Sequence, residues 1–452
     1  MNPAGGSALA KAAGWLLSKL RERFISLTVR NYRIYFSGHF FSVIGIWVQR
    51  TTMSWFIYRL TNSAFLLGLI GFLSMIPSLF VSPFAGAWAD RWDRRKTLVL
   101  TQSLFMVQAS LLAAGVLSGF INEDRWWPLI VLALWQGIVE GIDAPFRQNF
   151  VLDLVSKRSL LPNAIATNSA MFNSARLIGP SIGGAMIVAF GEGICFLISA
   201  VAYLAVIASL LTIRINYPPL KPSGVPILSK IKEGWSYSWH SLPVRWLIAN
   251  LGVYMLFAMS YSSIIPVFAR DVLKGNAGTQ GLLLTFAGVG ALTSAFYMAG
   301  RKTIKGLPYI TAVLGCVANL ALIGLAQSRS IVLSLVFMVF IGLGMTIQMS
   351  STNTILQSVV DPNMRGRVLS VYTMTFQSVM PFGSLLIGSL TRKLGPQTAL
   401  SISAGICLLW SLNALRNIPH LITHIQRMLV TNHNTEIYRP LKVTVMYPGV
   451  EG

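Results

Sequence analysis

The chain has 452 residues, 54% of them hydrophobic and 11% charged, with a formal net charge of +22. A soluble domain carries roughly 25% charged residues, so this composition excludes an ordinary water-soluble fold and makes the bilayer the solvent. In that setting the cations do not suggest nucleic acid as a partner; they report which membrane face each loop occupies, because Lys and Arg favour the cytoplasmic side.

The first 30 residues do not read as a signal peptide, since the apolar core at residues 15–17 is short and no small-residue cleavage site follows. Leu9, Leu16, Leu17, Leu20 and Phe24 alternate with Lys11, Lys19, Arg21 and Arg23. That pattern fits either an amphipathic helix on the inner membrane face or a disordered tail. Spanning helices need ~20 apolar residues. Twelve candidates follow, at 34–58, 66–88, 97–118, 127–147, 163–187, 193–213, 246–268, 280–300, 308–327, 331–353, 368–390 and 396–415. They divide the chain into an N-terminal tail (1–33), a six-helix bundle (34–213), a linker (214–245), a second six-helix bundle (246–415) and a C-terminal tail (416–452).

Between the second and third spans lies the loop 86–96, GAWADRWDRRK. Placing it in the cytoplasm puts 26 Lys and Arg inside and seven outside, with Arg50, Arg147 and Arg176 within spans. Both tails are then cytoplasmic. The linker begins with the proline-rich stretch 216–226 and continues as 227–240, where Leu228, Ile231, Trp235 and Trp239 recur at helical spacing. It reads as a strap leading into an interfacial helix.

The two bundles echo each other. Residues 148–155 lead through Lys157 and Arg158 to a span containing Gly179, Pro180, Gly183 and Gly184. Residues 353–360 lead through Arg365 and Arg367 to a span containing Pro381, Gly383 and Gly388. The loop 301–306 sits in the second half where 86–96 sits in the first.

The loop 86–96 resembles the loop 2–3 signature of the major facilitator superfamily, with Trp88 in place of the usual Leu and Asp93 in place of a usual Gly. Gly179, Pro180, Gly183 and Gly184 resemble the end of that superfamily's antiporter-associated motif. Asp143–Gln148, residues 161–164 with Asn168 and Ser169, and Arg365 to Val368 are similar to the enterobactin-exporter-like branch. The resemblance covers residues 30–415. It implies an all-α membrane protein of twelve transmembrane helices in two pseudo-symmetric six-helix bundles, with a substrate site near the midplane between them.

Each motif has a physical reading. Gly86 lets its helix approach a neighbour, Asp90 can accept from a helix N-terminus or pair with an Arg, and Arg91, Arg94 and Arg95 hold the loop at the headgroups. This is a latch that forms in one state and breaks in the other; the bland alternative is a topogenic basic loop. The glycines at 179–184 make either a leak-resistant seam or ordinary small-residue packing.

Charges within spans cost ~2.5–3.5 kcal/mol each on insertion scales, so they should face a cavity or each other. Gln136, Glu140, Asp143 and Arg147 share one helix face. If spans one, four, seven and ten line the cavity, as the resemblance implies, Arg50 is a partner for Glu140, and Glu140 is the candidate proton carrier. Asp143 is a second candidate for proton coupling, with a local Asp143–Arg147 pair capping the cytoplasmic end of the helix as the favoured account, and Arg176 is either packing glue or a substrate contact. The second half shows no charge in its spans by this reading; Tyr254, Tyr261, Gln348, Ser350, Asn353 and Gln377 offer neutral hydrogen bonding, either to a ligand, with Gln348 and Asn353 taken as substrate-pathway residues, or between helices. Cys195, Cys316 and Cys407 lie in apolar runs, and His39 is the one histidine expected within a span, so no metal site or cofactor is expected.

The function implied is secondary transport in the inner membrane of a bacterium: proton-coupled antiport that exports a siderophore or drug, with periplasmic or outer-membrane components as partners. No ATP-binding motif is present in the sequence. The rival readings are an importer of the same fold, metal-ion efflux and a membrane-embedded enzyme. Asp90→Asn is expected to keep expression and slow transport severalfold; wild-type turnover in that variant removes the latch.

Overall fold

With no water in the hydrocarbon core, every backbone N–H and C=O must be paired within the spanning structure. The computed structural model describes residues 25–89, 91–155, 158–213, 227–301 and 303–431, and among these the chain meets that demand with helices and no strands. The first half holds α1 (Arg30–Thr61), α2 (Ala64–Leu73 and Ile76–Trp88, with a turn between), α3 (Arg94–Leu117) and α4 (Trp127–Leu154). The continuous stretch Leu161–Thr212 has 52 residues, about 78 Å of helix, far more than a bilayer core of ~30 Å. It is two helices, α5 (161–190) and α6 (192–212), broken at Gly191, whose φ of 76° and ψ of 169° favour glycine.

After α7 (Ile227–His240), the second half holds α8 (Leu242–Val272), α9 (Ala277–Ala299), α10 (Leu307–Gln327), α11 (Ile331–Val359), α12 (Pro362–Leu394) and α13 (Pro396–Thr431). Nine described stretches are apolar and long enough to span on composition alone. Counting α5 and α6 separately and adding α1 and α12 makes twelve. The last two fall short because they carry polar residues turned into the protein: Gln49, Thr51 and Thr52 on α1, Thr375, Ser384 and Thr391 on α12.

Two helices run further than hydropathy indicates. α13 continues sixteen residues past 415, because Ile418, Leu421 and Ile425 are buried at helical spacing while Arg416, Asn417 and His420 lower the average hydropathy. His420 and His424 therefore lie on the last spanning helix, so His39 is not the only histidine on one. α8 continues through Arg270 and Asp271, so the second half does carry charges in a spanning helix. α8 is also irregular, with π-helical turns at Tyr254–Ala258 and Phe268–Val272 and a tight 3-10 stretch at Met259–Ile264.

Glycines set how the halves meet. A Cβ at Gly68 of α2 would lie 2.4 Å from the Ser384 carbonyl oxygen of α12, and one at Gly388 would lie 2.6 Å from that of Ala64. On the other flank, a Cβ at Gly184 of α5 would lie 2.6 Å from the Ala277 carbonyl of α9, and one at Gly281 equally close to that of Pro180. Both seams lie at the end away from the basic loop 86–96, the far end. At the basic end α12 barely touches Ile76–Trp88, and nothing lies within 4 Å of a Cβ at Gly86 or Gly366. Close approach at Gly86, expected from sequence, is absent in this conformation.

α7 belongs with the second half. Glu233 pairs with Arg367 of α12 at 2.7 Å, and Gly234 sits against the Arg367 carbonyl. Trp235 and Trp239 remain exposed.

Leucine at Gly184 or Gly388 cannot be accommodated against a carbonyl oxygen, so the seam should part by ~2–4 Å, toward ordinary interhelical spacing. Spin labels at the exposed far-end positions Glu123 and Arg329 should report that increase; unchanged distances would refute the seam as the clamp.

Candidate functional site

The charged face of α4 forms one connected cluster. Asp143 is completely buried. Its Oδ1 accepts from Thr101 Oγ1 at 2.7 Å and Gln102 Nε2 at 2.8 Å, both on α3. Its Oδ2 lies 2.8 Å from Arg147 Nη1. Arg147 Nη2 reaches back two turns to Glu140 Oε1 at 3.3 Å, and the guanidinium lies over the Phe172 ring at 5.6 Å. One cation is thus bracketed by two carboxylates. A buried charge persists only when paired and hydrogen-bonded, and Asp143 meets both conditions.

Two expectations are corrected here. Glu140 is bound by Arg147, not Arg50; a long arginine side chain can cover the two turns along its own helix. Arg50 is exposed and stacks on Trp47 at 5.6 Å. Ser54, one turn on and on the same face, accepts a hydrogen bond from Gln280 of the other half at 2.8 Å. The Asp143–Arg147 pair also does not cap a helix end, since Asp143 lies eleven residues before Leu154, about 16 Å inside. Of the two acids, Glu140 is the accessible one, its side chain 31% exposed.

Arg176 of α5 crosses to the second half, donating to Thr346 Oγ1 of α11 at 3.2 Å. Among the described residues, neither Arg50 nor Arg176 has a carboxylate at ion-pair distance. Thr346, Ser350, Asn353 and Gln357 follow one another at spacings of four, three and four, so Asn353 shares the face of α11 that meets Arg176. Asn353 also bonds Gln357 directly. Gln348 points elsewhere. It is buried and lines a small internal space with Trp246, Asn250, Thr352 and Ser411 inside the second bundle. When residues 148–155 and 353–360 are aligned, Gln348 falls at the position of Asp143, which is likewise turned into its own bundle.

The glycine motif of α5 has two faces. Gly179 and Gly183 pack on Trp47, Val48 and Thr51 of α1, while Pro180 and Gly184 pack on α9 across the seam. In the loop 86–96, Asp90 lies outside the described residues. Arg91 is exposed. Arg94 is buried, donating to both oxygens of Asp153 at 2.8 Å and to the Ala89 carbonyl at 3.0 Å. Arg95 donates to the Leu210 and Leu211 carbonyls at the end of α6. These two arginines therefore brace α3 against α4 and α6 and are not free for headgroups. Asp93 takes the N-cap of α3, accepting from Lys96 N at 3.1 Å.

Sequence reasoning missed the far-end clamp. Tyr58 donates to Asp271, Arg270 donates to Asn62 Oδ1 at 2.7 Å, and Gln280 joins Ser54. The adjacent Arg270 and Asp271, at the edge of a span, were the available signal. Asp153, a lone carboxylate in the apolar stretch 148–155, was the signal for the Arg94 brace.

Comparison with known proteins agrees with this architecture. The profile of the transmembrane secretion effector family matches residues 22–436. The staphyloferrin A transporter of Staphylococcus aureus is 26% identical over 357 residues, covering 78% of this chain and 88% of that protein. The enterobactin exporter EntS of Shigella boydii is 24% identical over 398 residues, covering 85% and 92%. A solved bacterial homologue of the human lysosomal transporter Spinster, in an inward-facing and unoccupied conformation, superposes with a TM-score of 0.64 at 16% identity over 91% of this chain and 98% of that one. With the motifs, the twelve helices and the match over most of its length, the chain belongs to the transmembrane secretion effector family: it is a transporter of the major facilitator superfamily and not an enzyme.

Proposed function

We propose that this transporter exports a small, polar, partly anionic molecule of the siderophore class across a bacterial cytoplasmic membrane, in exchange for protons. The observation that carries the reading is the state of the mid-depth cations: Arg50 and Arg176 have no carboxylate partner among the described residues, whereas Arg147 has two. An unpaired guanidinium within a bilayer's depth is costly and is suited to bidentate capture of a carboxylate or catecholate. The relatives described above, a staphyloferrin A transporter and an enterobactin exporter, support the same cargo class. A drug-like cargo is the second reading, from the family resemblance.

Proton coupling rests on Glu140. It is the accessible acid of the cluster, and its only described ionic partner, Arg147, also serves Asp143. When a substrate anion engages the nearby cations, Arg147 can turn wholly to Asp143, and Glu140 is freed to take a proton. The basic end is assigned to the cytoplasm by the distribution of Lys and Arg. The conformation is then open inward, with α2 and α12 apart at the basic end and the far-end clamp closed.

In inside-out vesicles, Glu140→Gln is expected to abolish uptake driven by a pH gradient; an unchanged pH dependence would sink the carrier role. The same vesicles separate export from import by the direction of accumulation. Arg176→Gln is expected to raise KM for a catechol or carboxylate siderophore about tenfold or more, since a hydrogen bond to a charged group contributes ~1.5–3 kcal/mol. An equal KM in both proteins would return Arg176 to a packing role.

A further inference from the structure

A second cavity, of about 560 Å³, lies at the far end between the halves. That is within the range of small-molecule sites, ~300–1,000 Å³. The first half contributes Tyr58 and the start of α2, capped by Ser63; the second contributes Asp271, Thr391 and Arg392. Asp271 and Arg392 bring opposite charges to one space, yet among the described residues neither forms an ion pair with any side chain. Among the described residues Asp271 accepts only the Tyr58 hydroxyl, and the Arg392 guanidinium lies over the Phe65 ring at 5.9 Å. Thr391 is 5% exposed, and among the described residues its hydroxyl has no hydrogen-bond partner. A cation, an anion and an unused hydroxyl therefore line a cavity large enough for a ligand to stand between them.

We propose that this far-end cavity binds a small zwitterion, with its carboxylate on Arg392 and Thr391 and its ammonium on Asp271. The positive end of α2 adds to the attraction for the carboxylate. The ammonium competes with the Tyr58 hydroxyl for Asp271. Tyr58 belongs to the first half and Asp271 to the second, so binding exchanges a bond across the halves for one within the second half. Occupancy loosens the clamp. The site stands apart from the cluster on α4, and its existence does not depend on the direction of transport or on proton coupling.

The test uses the full chain in lipid nanodiscs, titrated calorimetrically with glycine, 4-aminobutyrate and 6-aminohexanoate, and with acetate and ethylammonium as single-charge controls. One zwitterion length should bind saturably and better than either control. Arg392→Gln and Asp271→Asn should each weaken it about tenfold or more, the scale of a lost charge-assisted hydrogen bond. Arg392→Lys should retain part of the affinity, separating loss of charge from loss of fold. Tyr58→Phe should tighten binding about threefold or more, because Asp271 is released from the clamp. Absence of saturable binding at every length, or equal affinity in the wild type and both charge variants, overturns the site. Unchanged affinity in Tyr58→Phe overturns the competition with the clamp. Siderophore transport plays no part in these readouts, so their failure is distinct from failure of the export reading.

Discussion

In lipid, helices gain little from the hydrophobic effect when they associate, so dispersion contacts between closely approaching backbones must hold them. Glycine makes that approach possible, and this molecule spends its glycines in a repeated way. Gly179 and Gly184 on α5 are five residues apart, as are Gly383 and Gly388 on α12. The first of each pair packs within its own half, Gly179 on Trp47 and Gly383 on the Leu256 carbonyl. The second packs across the seam, Gly184 on α9 and Gly388 on α2. Each of these two helices thus fixes the interior of one bundle and its contact with the other in a single turn and a half. The far-end clamp of Tyr58, Asp271, Arg270 and Asn62 lies beyond that contact. The divergence at the basic end, where Gly86 and Gly366 meet open space, follows from where the close approach stops.

Electrostatics then sorts the charges into fixed and available. Asp143 has two neutral donors and an arginine, and no exposure; it is held. Arg94 is similarly enclosed between Asp153 and the Ala89 carbonyl. Arg59 and Glu192 pair at 2.6 Å, but the arginine side chain is 47% exposed, so that contact contributes ~1 kcal/mol or less. Among the described residues, Glu140, Arg50 and Arg176 are left with incomplete or no ionic partnership at mid-depth. A transporter needs a set of this kind, since a charge already satisfied has no differential affinity to offer a substrate or proton.

Twelve helices were legible in sequence because the bilayer imposes length and apolarity on each span. Gly179, Pro180, Gly183 and Gly184 were legible as a packing motif, though which glycine faced which half was not. Side-chain pairing was read least well. Arg50 and Glu140 sit at compatible depths, and depth alone suggested a pair, but reach along α4 gave Glu140 to Arg147. Gln348 was read as a neutral hydrogen-bonding residue of the substrate pathway because helix phase cannot be set absolutely from one helix; its buried neighbours Met345, Thr352 and Ile355 place it inward. Arg270 and Asp271 were assigned to a loop because a charged pair ends a hydropathy run, although the helix continues through them. The role expected for Asp90 rests on sequence, as that residue lies outside the described ones.

The attachment of α7 has a consequence for the surroundings of the protein. Glu233 and Gly234 fasten this helix to α12, so any rocking of the second half carries Trp235 and Trp239 along with it. Tryptophan partitions to the headgroup layer, and shifting two exposed indoles there changes how the neighbouring lipids pack. Part of the energy separating the two conformations is then stored outside the polypeptide. The same chain placed in bilayers of different thickness or headgroup composition should settle into different mixtures of open and closed forms, with no residue altered.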